Sequence, residues 1–236
     1  MRVSLIGADA AWVLPRGKAG RDAYFEFYRA YQQEASPAER FYGMHMDIEP
    51  HQLKEWEEDN ANTVQGYCDF VKLARQEADR DNSLLEVDIP CWFDRFRNQE
   101  GMNLLEFCLH NADTTLLMSY RDSARGAVDF AKTGLELARK LDRRLALALD
   151  TGRIYEDVNI TFDHLGTLAL DREMAKLRQI VNDEYDLKDI GYAVHHYNSW
   201  VELPEEGHPP GEDFPRDNPN YADVLEKHTS DKKQAL

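Results

Sequence analysis

Apolar runs of strand length alternate with amphipathic stretches along most of this chain. The strand-length runs are Val3–Gly7, Gly43–Glu49, Leu84–Pro90, Thr114–Tyr120, Leu145–Thr151 and Ile190–Tyr197. Between them, helical spacing predicts helices near Asp22–Glu34, Ala61–Asp79, Ser123–Leu141 and Asp171–Glu184. In the third of these, Ala127, Phe130, Ala131, Leu135 and Ala138 recur at the helical period. Repeated strand–helix alternation predicts an α/β fold, a parallel sheet covered by helices. An open doubly wound sheet and a β/α barrel both fit. No Gly-rich phosphate loop follows any strand, which favours the parallel, TIM-like β/α barrel.

A closed barrel of this kind has eight strands, whereas the pattern yields about six. The expectation is therefore a barrel that lacks its first one or two β/α units, with an N-terminal portion absent. From Leu203 onward Pro, Gly and charge dominate. This divides the chain into a barrel domain over 1–202 and an extended C-terminal tail over 203–236, with a short helix near Tyr221–His228.

Composition narrows the partners. The 236 residues, 42% of them hydrophobic and 11% aromatic, suffice for a sizeable core. Forty-four acidic residues against 28 basic ones give a formal charge of -16. That balance excludes docking to a phosphate backbone or to an anionic membrane surface. No apolar run approaches the roughly 18 residues of a membrane helix. The opening Met-Arg-Val-Ser-Leu-Ile-Gly lacks the apolar core of a signal peptide, so the chain reads as cytoplasmic. Cys68, Cys91 and Cys108 are too widely spaced for a CxxC knuckle and odd in number, which predicts reduced thiols. The open barrel edge makes a homo-oligomer an expected arrangement.

Candidate chemistry concentrates in Gly43-Met44-His45-Met46-Asp47-Ile48-Glu49-Pro50-His51. Side chains alternate along a strand, so His45, Asp47 and Glu49 share one face and Met44, Met46 and Ile48 the other. Ionisable groups on an otherwise apolar strand are costly to bury without partners or a task. Strand C-terminal ends are where parallel barrels build active sites. Asp47 and Glu49 lie about 7 Å apart along the backbone, close enough to couple. Such coupling helps one carboxyl keep the proton that a general acid needs. A structural pair ordering the loops at the barrel mouth is the plainer alternative.

Other strand ends add candidates. Tyr120 follows Met118 at the same parity, and its phenol can donate to a developing charge. Glu86, Asp88 and Trp92, then Asp150, then His195, His196 and Tyr197 with Trp200 just beyond, supply carboxylates and aromatic walls. That combination suits a saccharide, although the same aromatics could serve a core. His45, Asp47, Glu49, Asp150 and His195 could instead surround a divalent metal, but no HxH or HExxH spacing supports it. The expectation is a site with no cofactor and no tightly bound metal.

Phe41-Tyr42-Gly43-Met44-His45-Met46-Asp47-Ile48-Glu49 resembles the DGxDxDxE signature of the chitinase-like (family 18) glycoside hydrolases, with the last Asp and the Glu kept as Asp47 and Glu49. Met118-Ser119-Tyr120 is similar to that family's Met-x-Tyr on a later strand, and Trp200 to its last-strand tryptophan. Tyr42 and His45 stand where the family has aspartates, and Arg121 separates Tyr120 from the acid that follows. The set Asp-Ile-Glu-Pro-His, Met-Ser-Tyr-Arg-Asp and His-His-Tyr is also similar to a group of bacterial glycosidase-type barrel proteins. The resemblance implies a β/α barrel that hydrolyses a saccharide with help from the substrate's N-acetyl group. It implies Glu49 as proton donor, Asp47 orienting the acetamide and Tyr120 steadying the intermediate. His45, Asp88, Trp92, Asp150, His195, Tyr197 and Trp200 would contact the sugar. Two alternatives stay open, a non-catalytic saccharide-binding barrel and a metal-dependent hydrolase.

Overall fold

The computed structural model describes residues 2–153 and 158–208. The fold is α/β. Six strands form one sheet in chain order: β1 (Ser4–Gly7), β2 (Gly43–Met46), β3 (Leu84–Pro90), β4 (Thr114–Met118), β5 (Leu145–Asp150) and β6 (Gly191–His195). The strands are parallel and every connection carries a helix, the topology of a TIM-like partial barrel. The helices are α1 (Lys18–Glu34), α2 (Lys54–Glu58), α3 (Asn60–Arg80), α4 (Leu104–Asn111), α5 (Ala124–Phe130), α6 (Lys132–Leu141), α7 (Gly166–Tyr185) and α8 (Tyr197–Glu202). No helix among the described residues is long and apolar enough to cross a membrane.

The chain forms two compact units. The first comprises Met1–Ser119, Phe130–Leu147 and Val181–Gly191; the second comprises Tyr120–Asp129, Ala148–Ile180 and Tyr192–Leu236.

In the first unit, period-two alternation decides what is buried. Met44 and Met46 on β2 and Leu85, Val87 and Ile89 on β3 are buried, as are Phe25 and Tyr28 of α1 and Tyr67, Phe70 and Val71 of α3. Ring contacts tie this layer together, Trp12 to Phe70 at 6.0 Å and Phe25 to Phe70 at 6.4 Å. Each such side chain contributes about 1.5–3 kcal/mol by leaving water. The parallel register pairs Ile6 with His45, His45 with Glu86 and Glu86 with Thr114, so these four share the opposite face. Cys68, Cys91 and Cys108 are buried free thiols, and burial pushes Cys68 and Cys108 up to about 12.

In the second unit, Thr151 donates from its backbone to the His195 carbonyl, and Phe162 donates to the Asp150 carbonyl. Residues 203–208 are also engaged: Thr167 donates to the Pro204 carbonyl, and Asp163 contacts His208 at 2.7 Å. The helix expected near Tyr221–His228 lies outside the described residues.

Several boundaries differ from the sequence expectation. β2 ends at Met46, and the chain passes through Glu49 at ψ 75° into a short 3-10 turn, Pro50–Gln52. Proline lacks the N–H that would continue the ladder. Asp47 and Glu49 are therefore just beyond the strand. The expected helix Ser123–Leu141 is two helices, broken between Phe130 and Lys132. The run Ile190–Tyr197 stops as a strand at His195, and Tyr197 and Trp200 sit on α8. A capping box explains the switch: the His196 ring accepts from the Ser199 backbone, and the Ser199 hydroxyl accepts from the His196 backbone. α4 was not anticipated because Leu-Leu-Glu-Phe-Cys-Leu-His-Asn is apolar on most sides and shows little period. Its readable signal is Asn103, whose side chain caps the Glu106 N–H.

Gly66 marks a close approach of α3 to the 3-10 turn Ala10–Val13 that follows β1. A β-carbon there would lie 2.3 Å from the Val13 carbonyl oxygen. Alanine normally favours a helix over glycine by about 1 kcal/mol, yet a clash with backbone cannot be relieved by a rotamer change. Gly66→Ala is expected to destabilise the protein by about 1–3 kcal/mol. Thermal unfolding checks this, and an unchanged or raised Tm would contradict the packing described.

Candidate functional site

Within the first unit, the β2–β3 register brings three ionisable groups into contact. His45 Nε2 lies 2.8 Å from Asp88 Oδ2, and its Nδ1 lies 3.4 Å from Glu86 Oε2. The Ser4 hydroxyl donates to the same Glu86 oxygen at 2.9 Å. All three ionisable side chains are 21–25% exposed. Burial alone opposes a charge on His45. Its hydrogen bonds to Asp88 and Glu86, and their negative charges, outweigh that cost and push its pKa up to about 10. The same contact with His45 holds Glu86 below the usual carboxylate range, against the opposing effect of burial. His45 is thus a protonated imidazolium at neutral pH, donating from both nitrogens.

Beyond the end of β2, Glu49 meets His51, whose Nε2 lies 3.1 Å from Glu49 Oε2. His51 Nδ1 is buried and has no hydrogen-bond partner among the described residues. A tautomer with its proton on Nε2 leaves no buried N–H unsatisfied and donates to Glu49. An aromatic wall surrounds this pair. The His51 ring stands edge-on to Trp92 at 5.0 Å and to Phe93 at 6.1 Å, and Trp56 stacks on Phe93 at 5.8 Å. Trp92 and Trp56 are half-buried, so part of each ring reaches solvent. Asp47 is half-buried two residues before Glu49.

Within the second unit, Asp150 and His195 form a close pair, Oδ2 to Nδ1 at 2.7 Å. Asp150 is only 2% exposed, and its Oδ1 accepts from the Gly152 backbone at 2.6 Å. The Tyr120 ring lies 5.7 Å from the His195 ring. Thr151 hydrogen-bonds the Ser199 hydroxyl at 2.8 Å, joining β5 to the start of α8. On α8 the Tyr197 and Trp200 side chains are exposed.

The residues singled out in the sequence therefore form two groups, each inside one unit. His45 and Asp88 touch directly, while Glu49 and Trp92 are linked through His51. Tyr120, Asp150 and His195 cluster in the second unit. Sequence reasoning gave no role to His51, Trp56, Phe93 or Ser4. His51 could have been found from its position two residues after Glu49. Trp56 follows on α2 with no local signal of a role, and Ser4 and Phe93 come from elements far along the chain. Among the described residues, no group of three or more His, Cys, Asp or Glu side chains is arranged to hold a metal ion.

The electrostatics of His45 give a pH dependence. Its folded pKa lies above the unfolded value of about 6.5. Its contribution to stability is complete below that value and is lost as pH rises through about 10. Glu86 acts on the acid side, stabilising above its usual pKa and losing that contribution as pH falls. The free energy of unfolding, measured with urea, is expected to fall between about pH 7 and pH 9.5. In His45→Gln this alkaline slope should flatten. A variant with the wild-type slope would show that another group governs it.

The chain is similar in structure to the glycoside hydrolase domain of PgaB (BpsB) from Bordetella bronchiseptica, with 15% identity and a TM-score of 0.44, over 91% of this chain and 61% of that one. It is also similar to an active-site mutant of Rhizomucor miehei β-1,3-glucanosyltransferase in complex with laminaritriose, with 8% identity and a TM-score of 0.43, over 89% of this chain and 69% of that one. The chain thus spans less than two thirds of the length of the first. No protein-family model and no curated protein matches it. At TM-scores below 0.5, the functional reading rests on the residues described above.

Proposed function

We propose that this protein acts on a saccharide as a glycoside hydrolase, with Glu49 as the proton donor. The observation that carries the reading is the Glu49–His51 pair just past β2, set against the half-buried rings of Trp92 and Trp56. Sugars present C–H faces that pack on aromatic rings and hydroxyls that donate to carboxylates. The glycosidic oxygen is a poor leaving group until protonated, so a carboxyl acid within reach of the sugar is the essential part. His51 is a positioning residue here, holding the Glu49 carboxyl through one oxygen. Asp47, two residues earlier, orients an N-acetyl group by the sequence resemblance. His45 and Asp88 form the polar floor on the same strands. The resemblance also gives Tyr120 the steadying of the intermediate, with Asp150, His195, Tyr197 and Trp200 as sugar contacts.

A non-catalytic saccharide-binding protein is the second reading. The observation that favours it is His45: by engaging both Asp88 and Glu86, it ties two carboxylates into ion pairs rather than leaving them for proton transfer.

Hydrolysis and binding of a panel of N-acetylated and plain oligosaccharides separate the two. Glu49→Gln keeps size and hydrogen bonding but cannot supply a proton, so turnover should fall about 10²–10⁴-fold while sugar binding persists. Asp47→Asn should reduce turnover as well. A wild-type protein that binds a sugar and cleaves none supports the second reading, and a Glu49→Gln variant as fast as wild type would falsify the assignment of Glu49.

A further inference from the structure

The second unit builds a carboxylate–imidazole pair whose halves stand in opposite surroundings. Asp150, the last residue of β5, is buried, whereas the side chain of His195, the last residue of β6, is 52% exposed. Burying a carboxylate is costly unless its oxygens find donors. Oδ1 accepts from the Gly152 backbone at 2.6 Å, and Oδ2 meets His195 Nδ1 at 2.7 Å. Backbone N–H groups could meet that cost on both sides, as Gly152 does on one. Here half of a buried carboxylate is committed to a ring that reaches solvent.

That contact decides what the ring offers. A carboxylate can only accept, so the proton lies on His195 Nδ1, and in the neutral ring Nε2 is the acceptor. The residue is also held through its backbone, since the Thr151 N–H and hydroxyl both donate to the His195 carbonyl, at 2.7 and 3.1 Å. Beside the ring lie Tyr120, at 5.7 Å and tilted by 34°, and His196, at 5.3 Å and nearly perpendicular. Position and tautomer are thus set before any ligand arrives, which lowers the ordering cost of binding.

We infer that His195 recognises the saccharide as a hydrogen-bond acceptor, taking a sugar hydroxyl on Nε2, and that Asp150 is the positioning residue that fixes this tautomer without touching the sugar. The inference deepens the saccharide reading and rests on it. It gives the buried carboxylate a task that its own position denies it, because the contact with the ligand is made through the exposed ring.

The test uses the full chain with two probes, triacetylchitotriose and cellotriose, and calorimetric titration of wild type should show that at least one binds. His195→Ala removes the acceptor. Asp150→Asn presents an amide N–H to Nδ1 and drives the ring proton to Nε2, turning the acceptor into a donor. Each variant should weaken sugar binding by about tenfold or more. Nitrogen spectra of the histidine-labelled wild type at about pH 8.5 should show His195 protonated on Nδ1, with an Nε2 resonance that shifts when the sugar is added. A purely structural pair would show the tautomer and no such shift. His195→Ala changes an exposed position, so it and the Nε2 shift decide the matter even where Asp150→Asn fails to fold. If neither trisaccharide binds wild type up to about 10 mM, the saccharide reading and this inference fall together. If a sugar binds but either folded variant binds it as tightly, or the Nε2 resonance stays in place, this inference alone is overturned.

Discussion

The alternation of side chains on β2 and β3 is the constraint from which the first unit follows. Met44, Met46, Leu85, Val87 and Ile89 are buried with the rings of α1 and α3. Once that face is buried, His45, Glu86 and Asp88 must point the other way, because a one-residue slip would exchange the two faces entirely. The apolar layer thus sets the polar site. No separate instruction is needed to bring one imidazole and two carboxylates together.

Their meeting solves a problem that the burial creates. Two carboxylates two residues apart on one face of β3, each about three-quarters covered, would repel at close range. An imidazolium between them converts the repulsion into two charge-assisted hydrogen bonds, which is why His45 keeps its proton well beyond the ordinary histidine range. Histidine therefore serves here as a fixed cation rather than a switch near neutral pH. The contact of Glu49 with His51 lies instead in the loop after β2, beside the rings of Trp92 and Phe93.

The two ends of the first unit contrast in how their charges are matched. At the C-terminal ends of β2 and β3, carboxylates find histidines. After α3, Asp81 Oδ2 is buried with no hydrogen-bond partner among the described residues. A protein with 16 more acidic than basic residues has many carboxylates to place at its surface, yet this one has an oxygen that is buried. The second unit follows the first pattern, with the buried carboxylate of Asp150 saturated by Gly152 and His195.

The linear sequence determined the α/β class, the six strands and the three longest helices, α1, α3 and α7, because periodicity is a local property and survives without knowledge of neighbours. β3 matches its expected span residue for residue. The linear pattern also singled out Asp47, Glu49, Asp88, Asp150 and His195 as polar groups at strand ends. It could not show that β2 stops at Met46, since the bend through Glu49 into Pro50 depends on how the loop packs. It could not show that Tyr197 and Trp200 belong to a helix, because the capping exchange of His196 and Ser199 interrupts a run of strand-like residues. Nor could it assign partners. His45 with Glu86 and Asp88, Glu49 with His51, and Asp150 with His195 are set by strand register and loop geometry. Those pairings span up to 45 positions along the chain, and only the tertiary structure decides them.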